Sequence, residues 1–151
     1  MSFKLGMEGR LYFSSTLLDE STQPGTLTWD EQANVRDVTI NLETGEADVT
    51  TRANNGWRAT RATLKDGSIE FEMVWDSDDP GFTAVKDAWL SSGEIAIAAM
   101  DGDIGEAGNQ GLASNFTVTN FSRSEPLEEA ITVSVTLKPS SFTQWYTVGT
   151  P

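Results

Sequence analysis

The sequence predicts a mainly β protein, an antiparallel β-sandwich or barrel of about eight strands with one flanking α-helix at about residues 79–92. Three observations carry that expectation. Apolar and polar residues alternate with a period of two along much of the 151-residue chain, as they do in strands with one dry face. Turn-forming clusters separate those runs, which favours hairpin neighbours and antiparallel pairing. Only one segment places apolar residues at helical spacing between matching start and stop signals.

In chain order, Gly9-Arg10-Leu11-Tyr12-Phe13 is a short strand candidate. Asp19 to Asp30 is rich in turn formers and reads as a loop, with Trp29 as its anchor on the core. Val38, Ile40 and Leu42 then alternate with Asp37, Thr39 and Asn41, and Ala47, Val49 and Thr51 alternate with Asp48, Thr50 and Arg52. With Thr44-Gly45 between them, these two runs predict a hairpin. Asn54-Asn55-Gly56 is the strongest turn signal, because Asn and Gly tolerate the positive φ of tight turns. Trp57 to Leu64 reads as a strand, Lys65-Asp66-Gly67 as a turn, and Ser68 to Trp75 as the clearest strand. There Ile69, Phe71, Met73 and Trp75 share one face, and Glu70 and Glu72 the other.

The helix begins with Asp79 as cap and Pro80 in the first turn, and Gly93 is its expected stop. Phe82, Val85, Ala88 and Trp89 form a stripe that suits packing on a sheet. Afterwards Ile95, Ile97 and Ala99 alternate with Ala96 and Ala98, and Asp101 to Gly111 forms a glycine-rich acidic loop, read as a flexible surface or assembly loop. Phe116 and Val118 alternate with Thr117 and Thr119. Ile131, Val133, Val135 and Leu137 alternate with Thr132, Ser134, Thr136 and Lys138. There is no internal repeat, and the length suits a single domain over residues 1–151.

Composition narrows the chemistry. Cysteine and histidine are both absent, so disulfides, thiolate sites, Ser-His-Asp triads and most zinc sites are impossible. The net charge of −13 makes gripping a phosphate backbone unfavourable. No apolar run approaches the ~20 residues of a membrane-spanning helix. The start at Met1-Ser2-Phe3-Lys4-Leu5-Gly6 lacks a secretory pattern, so folding in a cytoplasm is expected.

Several local patterns are weaker than they look. Asp101-Gly102-Asp103-Ile104-Gly105-Glu106 begins like a calcium loop but lacks the later ligands. Asp76-Ser77-Asp78-Asp79 precedes the helix, where its dipole accounts for the carboxylates. The sequons at Asn115 and Asn120 have no secretory context. The glycines at 102, 105, 108 and 111 have no lysine and no strand-to-helix junction to make a phosphate cradle. Glu70 and Glu72 are the pair a glycosidase would use, but nothing marks them as more than solvated. No catalytic, metal or cofactor-binding residue is expected. The face opposite the core is wettable, with Thr117, Thr119, Thr132, Ser134 and Thr136 beside the two glutamates.

The block from Asn34 to Glu43, its continuation through Asp48-Val49-Thr50-Thr51-Arg52 and the Asn54-Asn55-Gly56-Trp57 turn resemble the long hairpin of bacteriophage tail tube proteins. The order of elements, with a helix after Trp75 and a last strand at Ile131–Leu137, is similar too, over roughly residues 5 to 140. The resemblance implies a non-enzymatic virion protein whose copies form six-membered rings that stack into a tube around an acidic channel for DNA. The ring proteins of contractile injection systems share that architecture. It further implies tail terminator, tape measure and, where the tail has one, sheath proteins as partners, with assembly in the host cytoplasm. Asp37, Thr39, Asn41, Glu43, Asp48, Thr50 and Arg52 would then lie at a subunit contact. Glu70, Glu72, Thr117, Thr119, Thr132, Ser134 and Thr136 would line the channel. A head decoration or head–tail connector protein is the alternative within virions. A carbohydrate-binding β-sandwich, with two or more of Trp29, Trp57 and Trp145 exposed and coplanar against sugar rings, is the alternative outside them; a tube subunit would bury them in cores or between subunits.

Overall fold

The computed structural model describes residues 6–20, 24–32 and 34–149. The start of the chain at 1–5 and the part of the expected loop at 21–23 lie outside the described residues. Seven strands are described: β1 (Arg10–Ser14), β2 (Asp30–Glu31), β3 (Val35–Asp48), β4 (Thr60–Val74), β5 (Glu94–Met100), β6 (Gln110–Ser124) and β7 (Thr132–Thr147). One helix, α1 (Pro80–Leu90), lies between β4 and β5. The strands form one sheet in the order β2-β1-β5-β6-β7-β4-β3, and every pairing is antiparallel.

Two expected turns are absent. Thr44-Gly45 and Lys65-Asp66-Gly67 lie inside β3 and β4, which pair with each other from Val35↔Met73 to Asp48↔Thr60. The hairpin therefore closes around residues 49–59, where Asn55 (φ 51) and Gly56 (φ 82) take the left-handed turn conformation. The two inner glycines serve cross-strand approach. A Cβ on Gly45 would meet Thr63 Oγ1 at 2.5 Å, and one on Gly67 would meet Leu42 Cδ2 at 3.1 Å. Four expected pieces thus merge into two long strands, and with the unforeseen short β2 the described strands number seven against about eight expected.

The long strands β6 and β7 turn the sheet. The N-terminal half of β6 pairs with β5 and with the C-terminal half of β7, whereas its C-terminal half pairs with the start of β7. Register breaks at Ala113/Asn115, Asn115/Phe116 and Val118/Asn120 mark the bend; bulges of this kind add local bend and twist. Leu11 and Phe13 from β1 consequently share one core with Ile69, Phe71 and Met73 from β4, though their strands stand far apart in the sheet order. Phe82, Val85 and Ala88 of α1 fill the middle of that core. The curled sheet does not close, and a cleft of about 690 Å³ separates Arg10, Leu11, Glu31 and Gln32 from Val35, Arg36, Val38 and Ile40.

The helix starts as its residues dictate, with the Asp79 carboxylate accepting from the Phe82 amide at 2.9 Å. Its end differs from expectation. Ser92, not Gly93, takes the left-handed conformation at φ 55, while Gly93 N donates to Ala88 O and Ser92 N to Trp89 O, the pair of bonds of a Schellman ending. Trp89 is also a correction. It is 45% exposed and stacks on Phe121 at the rim of the core. β5 is buried on both sides, with Ile95, Ile97 and Ala99 in the main core and Ala98 and Met100 in a second cluster with Tyr12 and Ala113. Trp29 packs on that second cluster and donates its ring N–H to Pro24 O at 2.8 Å, anchoring its loop.

The acidic glycine loop is built rather than loose. Asn109 is buried and donates to Asp103 O at 2.9 Å, and the Ile104 amide donates to the Tyr12 hydroxyl at 3.3 Å. Gly111, where β6 has just begun, lies so near β5 that a Cβ would fall 1.8 Å from Ala99 O.

Candidate functional site

The outward face of β3, β4, β7 and the second half of β6 gathers most of the expected polar residues. Cross-strand register places Thr39, Glu70, Thr136 and Asn120 on one rung, and Arg36, Glu72, Ser134 and Ser122 on the next. Thr132 faces Val74 and Ser124 one rung further. Behind the face lie Ile69, Phe71, Met73, Val133, Val135 and Leu137, each 3% exposed or less. Period-two alternation over residues 69–73 of β4 and 132–137 of β7 separates the two sides, because successive strand side chains point to opposite faces.

Thr119 occupies the β6 bulge and donates to Thr136 O at 3.3 Å. Thr117 sits beyond the bulge, opposite Lys138 and Glu94, so it flanks the face. Electrostatically the face is mild. Arg36 stands 3.8 Å from Glu72, Ser122 donates to Asn120 at 2.8 Å, and Asn41 donates to Ser68 at 3.4 Å. Pairwise charge neutralisation and small hydroxyls give a surface without a deep pocket or convergent catalytic groups.

The residues expected at a subunit contact separate into two places. Thr39 and Asn41 belong to the polar face, and Asp37 lies with φ 31 at a register break of β3. Glu43, Asp48, Thr50 and Arg52 lie on an arm. Beyond Gly67, β4 pairs only with β3, so residues 42–48 and 60–67 form a two-stranded ribbon capped by 49–59. At its tip the Thr50 hydroxyl, together with the Thr50 amide that donates at 2.9 Å, holds the Asp48 carboxylate below its ordinary value.

The ribbon corrects another expectation. Val38, Ile40 and Leu42 alternate as foreseen but are 42%, 40% and 55% exposed, because no element among the described residues covers that side of β3. Trp57 at the arm tip is 78% exposed and Trp145 on β7 is 57% exposed. No ring contact joins those two among the described residues. Arg36, Asn120 and Ser122 went unnoticed in the sequence. The bulge at Thr119 shifts the alternation of β6 by one, which hid the last two.

No group of three metal-ligating side chains occurs among the described residues, and no described helix is long and apolar enough to cross a membrane.

Comparison with solved structures shows where this fold occurs. The tail of an empty gene transfer agent particle, refined with C6 symmetry, contains a chain with TM-score 0.72 and 15% identity, covering 95% of this chain and 99% of that one. The tail tube of SPP1 matches with TM-score 0.70 and 14% identity over 98% of this chain and 81% of that one. The baseplate of the anti-feeding prophage matches with TM-score 0.61 and 9% identity over 98% of both chains. No curated protein matches by sequence. The family pattern of phage tail tube proteins covers residues 13–142. With that span, a fold shared with tube-forming tails and an outward face of hydroxyls in place of a catalytic cleft, the chain belongs to the phage tail tube protein family, a family of virion structural proteins rather than enzymes.

Proposed function

We propose that this chain assembles into six-membered rings that stack into a tail tube, and that the polar face of β3, β4, β6 and β7 lines the channel through which DNA passes. The observation that carries this reading is that wettable, core-backed face, spanning four adjacent strands with free backbone edges on both sides. Among the described residues β3 is the last strand of the sheet, and residues 119–124 of β6 have no strand partner on the side where β5 has ended. Unpaired edges are templates for pairing with another chain. A β3 edge meeting a β6 edge of the next copy is a head-to-tail contact, which closes into a ring when the rotation permits. The six-fold number follows the gene transfer agent tail.

Glu70 and the net charge of −13 disfavour adhesion of a polyanion, and the hydroxyls keep the wall wet. DNA thus passes without specific binding, and no cofactor takes part. The whole chain acts as one tube-forming unit, assembled in the host cytoplasm. Tail terminator and tape measure proteins, and a sheath in contractile tails, are its expected partners.

Because the chain has no cysteine, a Ser134→Cys variant carries a single thiol. Electron microscopy of the purified protein over a concentration series, with a gold label on that thiol, is expected to show hollow six-membered rings or tubes with the label in the channel. A label on the outer surface, or the absence of rings at every concentration, would overturn the reading.

A further inference from the structure

The chain has seven asparagines, and one of them, Asn55, is followed by glycine. An asparagine so placed can lose its side-chain nitrogen without an enzyme. The main-chain nitrogen of the next residue attacks the side-chain carbonyl carbon, and a succinimide ring forms as ammonia leaves. Water then opens the ring at either carbonyl, giving aspartate or isoaspartate. A bulky next residue hinders the attack, a hydrogen bond engages the attacking nitrogen, and burial holds the groups apart. The fold therefore selects which asparagine reacts. Asn109 and Asn115 are buried, and Asn41, Asn115 and Asn120 lie inside strands ahead of Leu42, Phe116 and Phe121. Asn34 precedes the β-branched Val35 and donates to Val74 O at 2.8 Å. Asn54 accepts from the Thr51 amide at 2.7 Å.

None of those restraints acts on Asn55. It is exposed at the arm tip, and neither its side chain nor the Gly56 amide makes a hydrogen bond among the described residues. A Cβ added at Gly56 would meet nothing within 4 Å, so no neighbour packs on the peptide that has to move. Trp57 N donates to Asn54 O at 3.0 Å across the turn, with Asn55 at φ 51, ψ 42 and Gly56 at φ 82. Positive φ at both central residues is the I′ pattern. In it the Gly56 nitrogen points away from the Asn55 side chain. A half-rotation of the one peptide joining the two residues converts I′ into II′ and swings that nitrogen against the side-chain carbonyl. Asn55 keeps its positive φ, which asparagine tolerates, and Gly56 changes the sign of its own, which glycine does at little cost. Charge helps as well. Residues 49–65 contain Arg52, Arg58, Arg61 and Lys65 and no carboxylate, and positive surroundings favour loss of the amide proton that precedes the attack.

We propose that Asn55 is a site of spontaneous deamidation, a modification that the chain undergoes with water as the only other reactant and ammonia as the leaving group. Exchange of the side-chain amide for a carboxylate sets an acid in a segment that has none and lowers its charge from +4 to +3. The isoaspartyl product also routes the main chain through the side-chain methylene. Loop length selects the turn type of a hairpin, so the lengthened loop loosens the pairing beside it, where Val49 N donates to Ala59 O at 3.0 Å. The arm tip thereby records the age of the protein in its charge and its backbone. This inference requires only an exposed tip and is independent of the tube reading.

Full-length protein aged in buffer and sampled over time tests the site by peptide mapping with mass spectrometry. Each event replaces NH2 by OH in the peptide containing Asn55 and gives a more acidic species on ion exchange. The isoaspartyl form accepts a labelled methyl group from isoaspartyl methyltransferase. In the folded chain Asn55 is expected to convert at least about tenfold faster than any other asparagine, and within about tenfold of its own rate in the urea-unfolded chain. Gly56→Ala and Asn55→Gln should each slow conversion about tenfold or more. The methyl group of the first blocks the attack, and the second must close a larger ring. The glutamine variant keeps Gly56, so it separates slowed chemistry from a disturbed turn. Asn55 converting no faster than the other asparagines would overturn the proposal. So would a folded rate more than about tenfold below the unfolded one, which would show the turn locked in its I′ form. An unchanged rate in both variants would also overturn it, because the mass change would then arise elsewhere in the peptide. None of these outcomes bears on whether rings form.

Discussion

Asn115 is the polar group on which the bend of the sheet depends, and its removal has a calculable cost. The side chain is 1% exposed. Its Nδ2 donates to Leu18 O at 2.8 Å and to Ser141 Oγ at 3.0 Å, and its Oδ1 accepts from Leu18 N at 2.8 Å. One amide thus replaces a strand partner for Leu18, itself 2% exposed, at the point where β6 changes register against β7. Asn115→Ala leaves the amide and the carbonyl of Leu18 buried without partners. Each orphaned group costs ~1–3 kcal/mol, so the pair costs about 4 kcal/mol at mid-range. For a chain of this size ~2–4 °C of Tm accompanies each kcal/mol, which gives a fall of about 8–16 °C. Differential scanning calorimetry of the dilute full-length chain reads it directly. Asn120→Ala is the control, because Asn120 is exposed and its side chain, among the described residues, bonds Ser122 alone, and a change within ~0.5 kcal/mol is expected there. If Asn115→Ala melted within about 2 °C of the wild type, the account of the bend as a hydrogen-bonded joint would be wrong.

Two further predictions follow from close approach and from burial. Gly111→Ala drives a Cβ into Ala99 O at 1.8 Å and Met100 Cα at 2.8 Å; this is backbone that cannot step aside, so a loss above ~4 kcal/mol and rapid proteolysis between β5 and β6 are expected, and a soluble, protease-resistant variant would refute the pairing. Burial pushes the Tyr12 phenol above its ordinary value, opposed in part by the Ile104 amide that donates to it. The stability tied to this shift is therefore fully present below the unfolded value of ~10 and is lost as pH rises through the higher folded value. Urea unfolding at pH 8 and pH 11 should show a steeper alkaline loss for the wild type than for Tyr12→Phe, and equal losses would show that the phenol is solvated.

How much could be read in advance varied along the chain. The strand from Ser68, the helix and its Asp79 cap, the Asn54-Asn55-Gly56 turn and the Trp29 anchor were legible, because each depends on neighbours within a few residues. Glu70, Glu72, Thr132, Ser134 and Thr136 were legible as one face for the same reason. The turns assigned to Thr44-Gly45 and Lys65-Asp66-Gly67 were misread. Glycine serves tight turns and close cross-strand contact equally well, and only the partner strand, through Thr63 and Leu42, distinguishes the two. The continuation of β7 to Thr147 was missed because Pro139 and the polar run after it resemble a loop, while the pairing with the first half of β6 keeps them extended.

By itself the sequence determined the sidedness of the strands, the place of the helix, the exclusion of histidine and cysteine chemistry, and a charge pattern with every carboxylate outside residues 49–65. These are properties of composition and short-range periodicity, and they survive whatever the strands pair with. Tertiary structure alone decided which faces became neighbours. The alternation of Val38, Ile40 and Leu42 states that one side of β3 is apolar, but not that the described elements leave that side half exposed. Likewise Asn55-Gly56 is only a turn signal until the pairing of β3 with β4 sets it at the exposed tip of an arm.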